Sequence, residues 1–170
     1  MTVTISLMKE TDWADVARIY REGIETGNST FENEPPSSWE KWCEKKVNEC
    51  SLVARADGAI VGWAAVSPFS TRAVYSGVVE NSLYVATSAR GKGVGAALLE
   101  ELIRVTEAHG IWTIQSRIFP ENTASLRLHL NHGFRQVGIL EKIGQMQFGP
   151  NKGQWRDVVF MERRSRTVGN

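Results

Sequence analysis

The sequence predicts an α/β protein of the α+β kind, with one mixed, mostly antiparallel sheet flanked by four helices. Three observations carry this. Strand-like and helix-like segments follow in the order β-α-α-β-β-β-α-β-α-β-β, which calls for one sheet covered by helices. Asp57-Gly58 separates two strand-like runs and supplies the positive φ angles of a tight hairpin turn. "SLYVATSARGKGVGAALLEEL", residues 82 to 102, reads as strand, glycine-rich bend and long amphipathic helix.

The elements follow in order. "TVTISL" alternates apolar and polar residues, as a first strand should. Thr11 or Asp12 then caps a helix whose Trp13, Val16, Ala17 and Tyr20 recur at helical spacing. "GNSTFENEPPSS" is a loop ended by two prolines. Ser37 and Glu40 have capping-box spacing, and Trp39, Trp42, Cys43 and Val47 give the second helix its apolar face. "SLVARADGAIVGWAAVSPF" is the hairpin and "VVENSLYVA" the fourth strand, which the bend carries into a helix ending near Gly110. "IWTIQSRIF" is β-branched and aromatic, and Pro120 closes it. "ENTASLRLHLNHG" is a short helix capped by Asn122, and "FRQVGIL" and "WRDVVFMER" complete the sheet. The expected organisation is one domain over 1–163 and a frayed tail over 164–170.

Composition bounds the function. In 170 residues, 42% are hydrophobic and 23% charged, ordinary for a globular domain. The net charge of +1 gives no electrostatic case for nucleic acid or an anionic membrane. No apolar run approaches the roughly 20 residues that span a bilayer, and "MTVTISLMKETDW" lacks the pattern of a secretory signal. Cys43 and Cys50 suit neither a disulfide framework nor a zinc ribbon, and Cys43 is expected on a buried helix face. The cytoplasm is the expected compartment.

The glycine bend is the informative motif. Glycines at 91, 93 and 95 allow close backbone approach to a ligand, and the unpaired N–H groups of a helix start attract anions. Arg90 and Lys92 add charge, so phosphate or pyrophosphate is the natural guest. A Walker A loop is excluded because Gly93 follows Lys92. A dinucleotide fingerprint is nearly matched by Gly91, Gly93 and Ala96, but it wants an acidic ribose ligand about 20 residues on. The count lands on Ser116 and Arg117, and the nicotinamide reading fails.

Arg90-Gly91-Lys92-Gly93-Val94-Gly95 resembles the (Gln/Arg)-x-x-Gly-x-(Gly/Ala) signature of the GNAT acetyltransferase superfamily, and Asn122, Ser125, His129 and Gly133-Phe134 sit where its next helix has them. "TFE" at 30–32, "RAVY" at 72–75, "VENSLYV" at 79–85 and "GQWRDVVFM" resemble its phosphinothricin, methionine sulfone and methionine sulfoximine acetyltransferase branch. The resemblance implies the GNAT fold, acetyl-CoA as cofactor, a small amino acid-like acceptor and a homodimer. It places the pyrophosphate on Arg90, Gly91, Lys92, Gly93, Val94, Gly95 and Ala96. The backbone of Leu83, Tyr84, Val85, Ala86 and Thr87 would meet the acetyl group and pantetheine arm, and Asn122 and Ser125 would also contact coenzyme A.

Within that resemblance Glu80 is the expected base, on the strand feeding the bend, where a carboxylate among apolar residues can accept a proton through water. His129 lies on one helical face with Asn122 and Ser125, and an imidazole there could protonate the departing thiolate. A cofactor-facing hydrogen-bonding role without proton transfer is its alternative. Arg72 is expected to grip the acceptor carboxylate, with Tyr75, Phe31, Glu32, Ser82 and Leu83 lining the same mouth. Trp155 and Asp157 match a late motif and read as core or interface. His129 and His132 lack the further ligands of a zinc site, so no metal is expected. The rival readings are a peptide or protein N-terminal acetyltransferase and a non-catalytic acyl-CoA sensor.

Overall fold

The computed structural model describes residues 2–170 and contains the expected element order. Seven strands form one sheet: β1 (Val3–Leu7), β2 (Leu52–Ala56), β3 (Ala59–Pro68), β4 (Val78–Val85), β5 (Thr113–Ile118), β6 (Arg135–Gln145) and β7 (Trp155–Arg164). Their spatial order is β1-β2-β3-β4-β5-β7-β6, and β4–β5 is the single parallel pair among the described residues. The β2–β3 hairpin turns on Asp57 and Gly58, both at positive φ.

Helices α1 (Trp13–Glu25) and α3 (Val94–Ala108) cover opposite faces. Successive strand residues point to opposite sides. Trp63 meets Tyr20 of α1, while neighbouring Gly62 lies under Leu98 and Val94 of α3. The core between them centres on Trp42, Trp63, Ile19, Leu98, Leu99 and Leu102, each fully buried. On the α1 face Tyr84 stacks on Trp63 with ring centroids 4.6 Å apart. Helix α4 (Thr123–Asn131) lies on the α3 side, where its Leu128 packs over Gly95.

Three local expectations are corrected. Asp12 stands at the head of α1, but its carboxylate accepts the Lys9 N–H at 3.0 Å and pairs with Arg55, so it caps the preceding single 3-10 turn (Glu10–Asp12) instead. The second helix, α2 (Trp39–Cys43), is one turn long and capped by Ser38, whose hydroxyl accepts the Lys41 N–H; Ser37 is one residue too early. Cys43 packs half-buried against the core from the end of α2, as expected, and Cys50 beyond the helix is fully buried. The tail is tied down: the Arg164 guanidinium donates to the carbonyls of Ser165, Val168 and Gly169, and Ser165 is buried.

Candidate active site

β4 and β5 stay paired only from Val78 to Glu80 on one strand and Thr113 to Gln115 on the other. Beyond Glu80 the strands part. Antiparallel pairing to β3 continues through Val85, and the Ala86 N–H reaches Val61 on β3. Alternation along the strand therefore turns the N–H groups of Leu83 and Val85 away from β3 and toward the gap. Two buried side-chain oxygens beside it, Asn81 Oδ1 and Gln115 Oε1, have no hydrogen-bond partner. Buried polar atoms are rarely left so.

A cavity of about 930 Å³ occupies this gap and spreads over the α1 face. Its wall includes Glu80, Ser82, Leu83 and Tyr84 of β4, the loop residues Phe31 and Glu32, and Asn122, Ser125 and His129 of α4. Glu80, Ser82 and Tyr84 share one strand face. The Glu80 carboxylate is paired with the Arg117 guanidinium of β5, and the two side chains are 39% and 38% exposed. The expected apolar surroundings of Glu80 are thus replaced by an ion pair open to solvent. The Tyr84 phenol is pushed far up by burial, then by neighbouring Tyr20, and stays neutral.

His129 sits on the other side of the gap, 3% exposed. Its Nδ1 lies 2.8 Å from the Ser125 carbonyl, which can only accept, so Nδ1 carries the hydrogen. Its Nε2 is 3.0 Å from Asn81 Nδ2 and 3.3 Å from Ser116 Oγ, both able to donate. Burial lowers its pKa, with the Ser125 carbonyl opposing and His132 assisting that shift. These partners define a neutral imidazole whose Nε2 accepts. In this arrangement the ring atom facing the gap accepts hydrogen bonds from Asn81 and Ser116. Asn122 also has a structural task, since its side-chain oxygen accepts the Ser125 N–H and caps α4.

The glycine bend lies outside the cavity, further along the same strand–helix connection. Gly91 and Gly93 have φ of 73° and 82°, with no atom within 4 Å of where a Cβ would stand. Helix α3 begins at Val94 without a side-chain cap, and its first internal bond comes from Ala97 N–H to Gly93. The N–H groups of Val94, Gly95 and Ala96 are therefore available to an anion. Exposed Arg90 and Lys92 flank them, held back on the carbonyls of Val85 and Ser88. Thr87 departs from expectation: its N–H is already given to the Glu22 carboxylate at 2.7 Å. Desolvation raises the Glu22 pKa, but that bond and Arg18 outweigh it, and the net shift is downward.

Arg72 and Tyr75 also fall elsewhere. Both are exposed and outside the cavity wall, with the guanidinium 5.5 Å from the Tyr75 ring. Tyr75 reaches the site only through Phe69, a rim residue 5.4 Å away. Phe31 lies on the cavity wall, edge-on to Phe119 and against Gly144 of β6.

Several site residues carry no recognisable sequence signal. Lys46 lies in "EKKVNEC" like any solvated helix charge, yet it lines the cavity. Arg117 becomes meaningful only once β5 is known to lie beside β4, and Asn81 only once α4 is known to cover it. Arg156, its side chain 5% exposed, binds Gly27, Asn28 and Glu121 and lies 4.0 Å over Phe119. It pins the loop that carries Phe31.

An uncapped helix start behind a glycine bend, a parted strand pair with unpaired donors, and an acceptor cavity with a carboxylate on its wall define an acyl-CoA-dependent transferase. The chain belongs to the acetyltransferase (GNAT) family, whose pattern matches residues 13–134. It is 36% identical over 166 residues to a phosphinothricin N-acetyltransferase of Alcaligenes faecalis, covering 94% of this chain and 81% of that one. It is 30% identical over 158 residues to an L-methionine sulfoximine/L-methionine sulfone acetyltransferase of Pseudomonas paraeruginosa, covering 89% and 88%. A phosphinothricin acetyltransferase of Sinorhizobium meliloti, solved with acetyl-CoA, superposes with a TM-score of 0.84 at 33% identity over 96% of this chain and 89% of that one. The chain is thus an acetyltransferase, and acetyl-CoA is its cofactor.

Proposed function

We propose that the protein acetylates the α-amine of a small amino acid-like acceptor of the phosphinothricin, methionine sulfone or methionine sulfoximine type, by direct transfer. One observation carries this: Glu80 stands on the wall of a cavity of about 930 Å³, beside the gap into which the Leu83 and Val85 N–H groups point. The relatives' substrates are consistent with that cavity. When bound, acetyl-CoA supplies the activated acetyl group. The Gly91–Ala96 bend with Arg90 and Lys92 would hold its pyrophosphate, and Asn81 and Gln115 offer unpaired acceptors to amide donors at the gap.

Glu80 takes up the proton of the acceptor ammonium, directly or through one water, and Arg117 orients its carboxylate. The Leu83 and Val85 N–H groups are donors fixed in advance for charge developing on the acyl oxygen, where one such donor is worth roughly 3 kcal/mol. Phe31 and Glu32 close the acceptor side. His129 holds Asn81 in place as a neutral positioning residue.

The assembly we propose is a homodimer through the β6 edge. Val137, Ile139 and Ile143 of β6 and Trp155 of β7 are all more than 40% exposed, at 42%, 53%, 57% and 59%. No helix among the described residues is long and apolar enough to cross a membrane. We assign the protein to the cytoplasm, on its need for acetyl-CoA and its two free cysteines.

The test is free-thiol release from acetyl-CoA with phosphinothricin, methionine sulfone, methionine sulfoximine, ordinary amino acids and short peptides. Release with the first three, reduced about 10²- to 10⁴-fold in Glu80→Gln, is the expected result. Release with peptides alone would replace the acceptor class, and silence across the panel despite cofactor binding would favour an acyl-CoA sensor.

A further inference from the structure

Lys46 enters the acceptor cavity from the segment following α2, and none of the motifs above includes it. Its ammonium lies 3.0 Å from Ser67 Oγ, 3.5 Å from Ser82 Oγ and 5.2 Å from the centre of the Trp42 ring. All three partners are uncharged. Among the described residues no carboxylate lies within 4.0 Å of it, although nine other cation–anion pairs in the protein meet that distance. A half-buried cation without a counterion is costly unless a ligand completes it.

The register places this cation next to the base. Ser67 pairs directly with Glu80 across β3 and β4, and Ser82 follows Glu80 by two residues on the same face. Directly paired side chains have Cβ atoms about 5 Å apart. Glu80 and the Lys46 ammonium therefore line one wall with Ser67 and Ser82 between them, and no ion pair joins them. An α-amino acid carries the complementary pair, an ammonium and a carboxylate separated by one carbon.

We propose that Lys46 binds the carboxylate of the amino acid acceptor while its α-ammonium faces Glu80. The assignment rests on the amino acid acetyltransferase reading and takes over the role expected of Arg72, which stands exposed outside the cavity. Three donors on one ammonium suit this arrangement, two held by the serines and the third left for the ligand. Burial and then Lys45 lower the Lys46 pKa to about 8, with Glu32 opposing, so the group is mainly charged at neutral pH.

The experiment compares Lys46→Met, Lys46→Arg and Arg72→Ala with the unmodified chain, using methionine sulfone and its carboxamide as acceptors. For Lys46→Met we expect KM for methionine sulfone to rise roughly 10- to 100-fold. KM for acetyl-CoA should stay within twofold, and the preference for sulfone over carboxamide should collapse toward one. Lys46→Arg should recover part of that preference, and Arg72→Ala should keep it. An unchanged sulfone KM in Lys46→Met, or equal loss with both acceptors, would overturn the assignment. A second measurement needs no turnover: in protein labelled with [ε-13C]lysine, methionine sulfone should shift the resonance that Lys46→Met removes. A shift without thiol release would keep the Lys46 site and defeat the transferase reading. Thiol release without a shift would keep the transferase and defeat the Lys46 assignment.

Discussion

At the scale of single residues, burial decides which groups are charged. His129 holds its ring neutral between the Ser125 carbonyl and the donors of Asn81 and Ser116. Its folded pKa lies below the ordinary 6.5, so between those two values the unfolded chain binds a proton that the folded ring refuses. Stability is therefore full above 6.5 and is lost as pH falls toward the folded value. Thermal unfolding of the wild type from pH 7.5 down to about 5 should show this slope, and His129→Gln should flatten it. The same variant should lower kcat less than about tenfold, whereas a true general acid would cost 10² or more. Lys46 has the same sign with a different purpose. Its folded value of about 8 lies below 10.5, so the burial penalty is complete below pH 8 and vanishes above 10.5. Lys46→Met should therefore raise Tm at pH 7 by a few degrees, a gain that shrinks toward pH 10.5. A lysine kept for structure would lower Tm when replaced.

At the scale of elements, the site is made where regular pairing stops. The gap between β4 and β5 frees the Leu83 and Val85 donors, and the loop before α2 roofs the cavity through Phe31. That roof rests on Gly144 of β6, where an added Cβ would come within 2.7 Å of the Phe31 ring. Gly144→Val should displace the ring and raise KM for the acceptor several-fold while leaving KM for acetyl-CoA unchanged; parallel changes in both would show that the roof is not specific to the acceptor. What the sequence disclosed here follows from local physics. Asp57-Gly58 needs positive φ, Asn122 caps the helix it precedes, and glycines 91 and 93 mark an open helix start, all within a few residues of chain. Arg117 on Glu80, Asn81 on His129 and Lys46 over Ser67 join residues 37, 48 and 21 positions apart, and no local pattern encodes such meetings. The exposed place of Arg72 has the same origin: a loop residue's direction depends on what its neighbours pack against, here Tyr75 and Phe69.

At the scale of the whole molecule, the sheet has one edge that it does not protect. β6 runs 11 residues from Arg135 to Gln145 at the end of the strand order, with only β7 as partner. Natural edge strands are usually short, or charged, or covered. This one is long, and exposes Val137, Ile139 and Ile143 beside Trp155 of the neighbouring strand. A kink at Lys142, with φ of 45° and its N–H bound by Asp157, breaks the ladder between Leu140 and Gly144 and turns Ile143 into the acceptor cavity. Asp157 thus shapes the edge, and Trp155 is exposed and outside the core. A second copy packed on this edge would cover the apolar row, and through Ile143 at the cavity it would couple assembly to acceptor binding. Ile139→Lys changes a residue outside the cavity wall and should leave the monomer folded. In sedimentation equilibrium the wild type should run at twice the chain mass and this variant at the chain mass, with a raised acceptor KM as the rim opens. A wild type that sediments as a monomer at micromolar concentration would remove the dimer and leave each cavity to close on its own Phe31. A monomeric variant with unchanged KM would keep the dimer but separate it from the site.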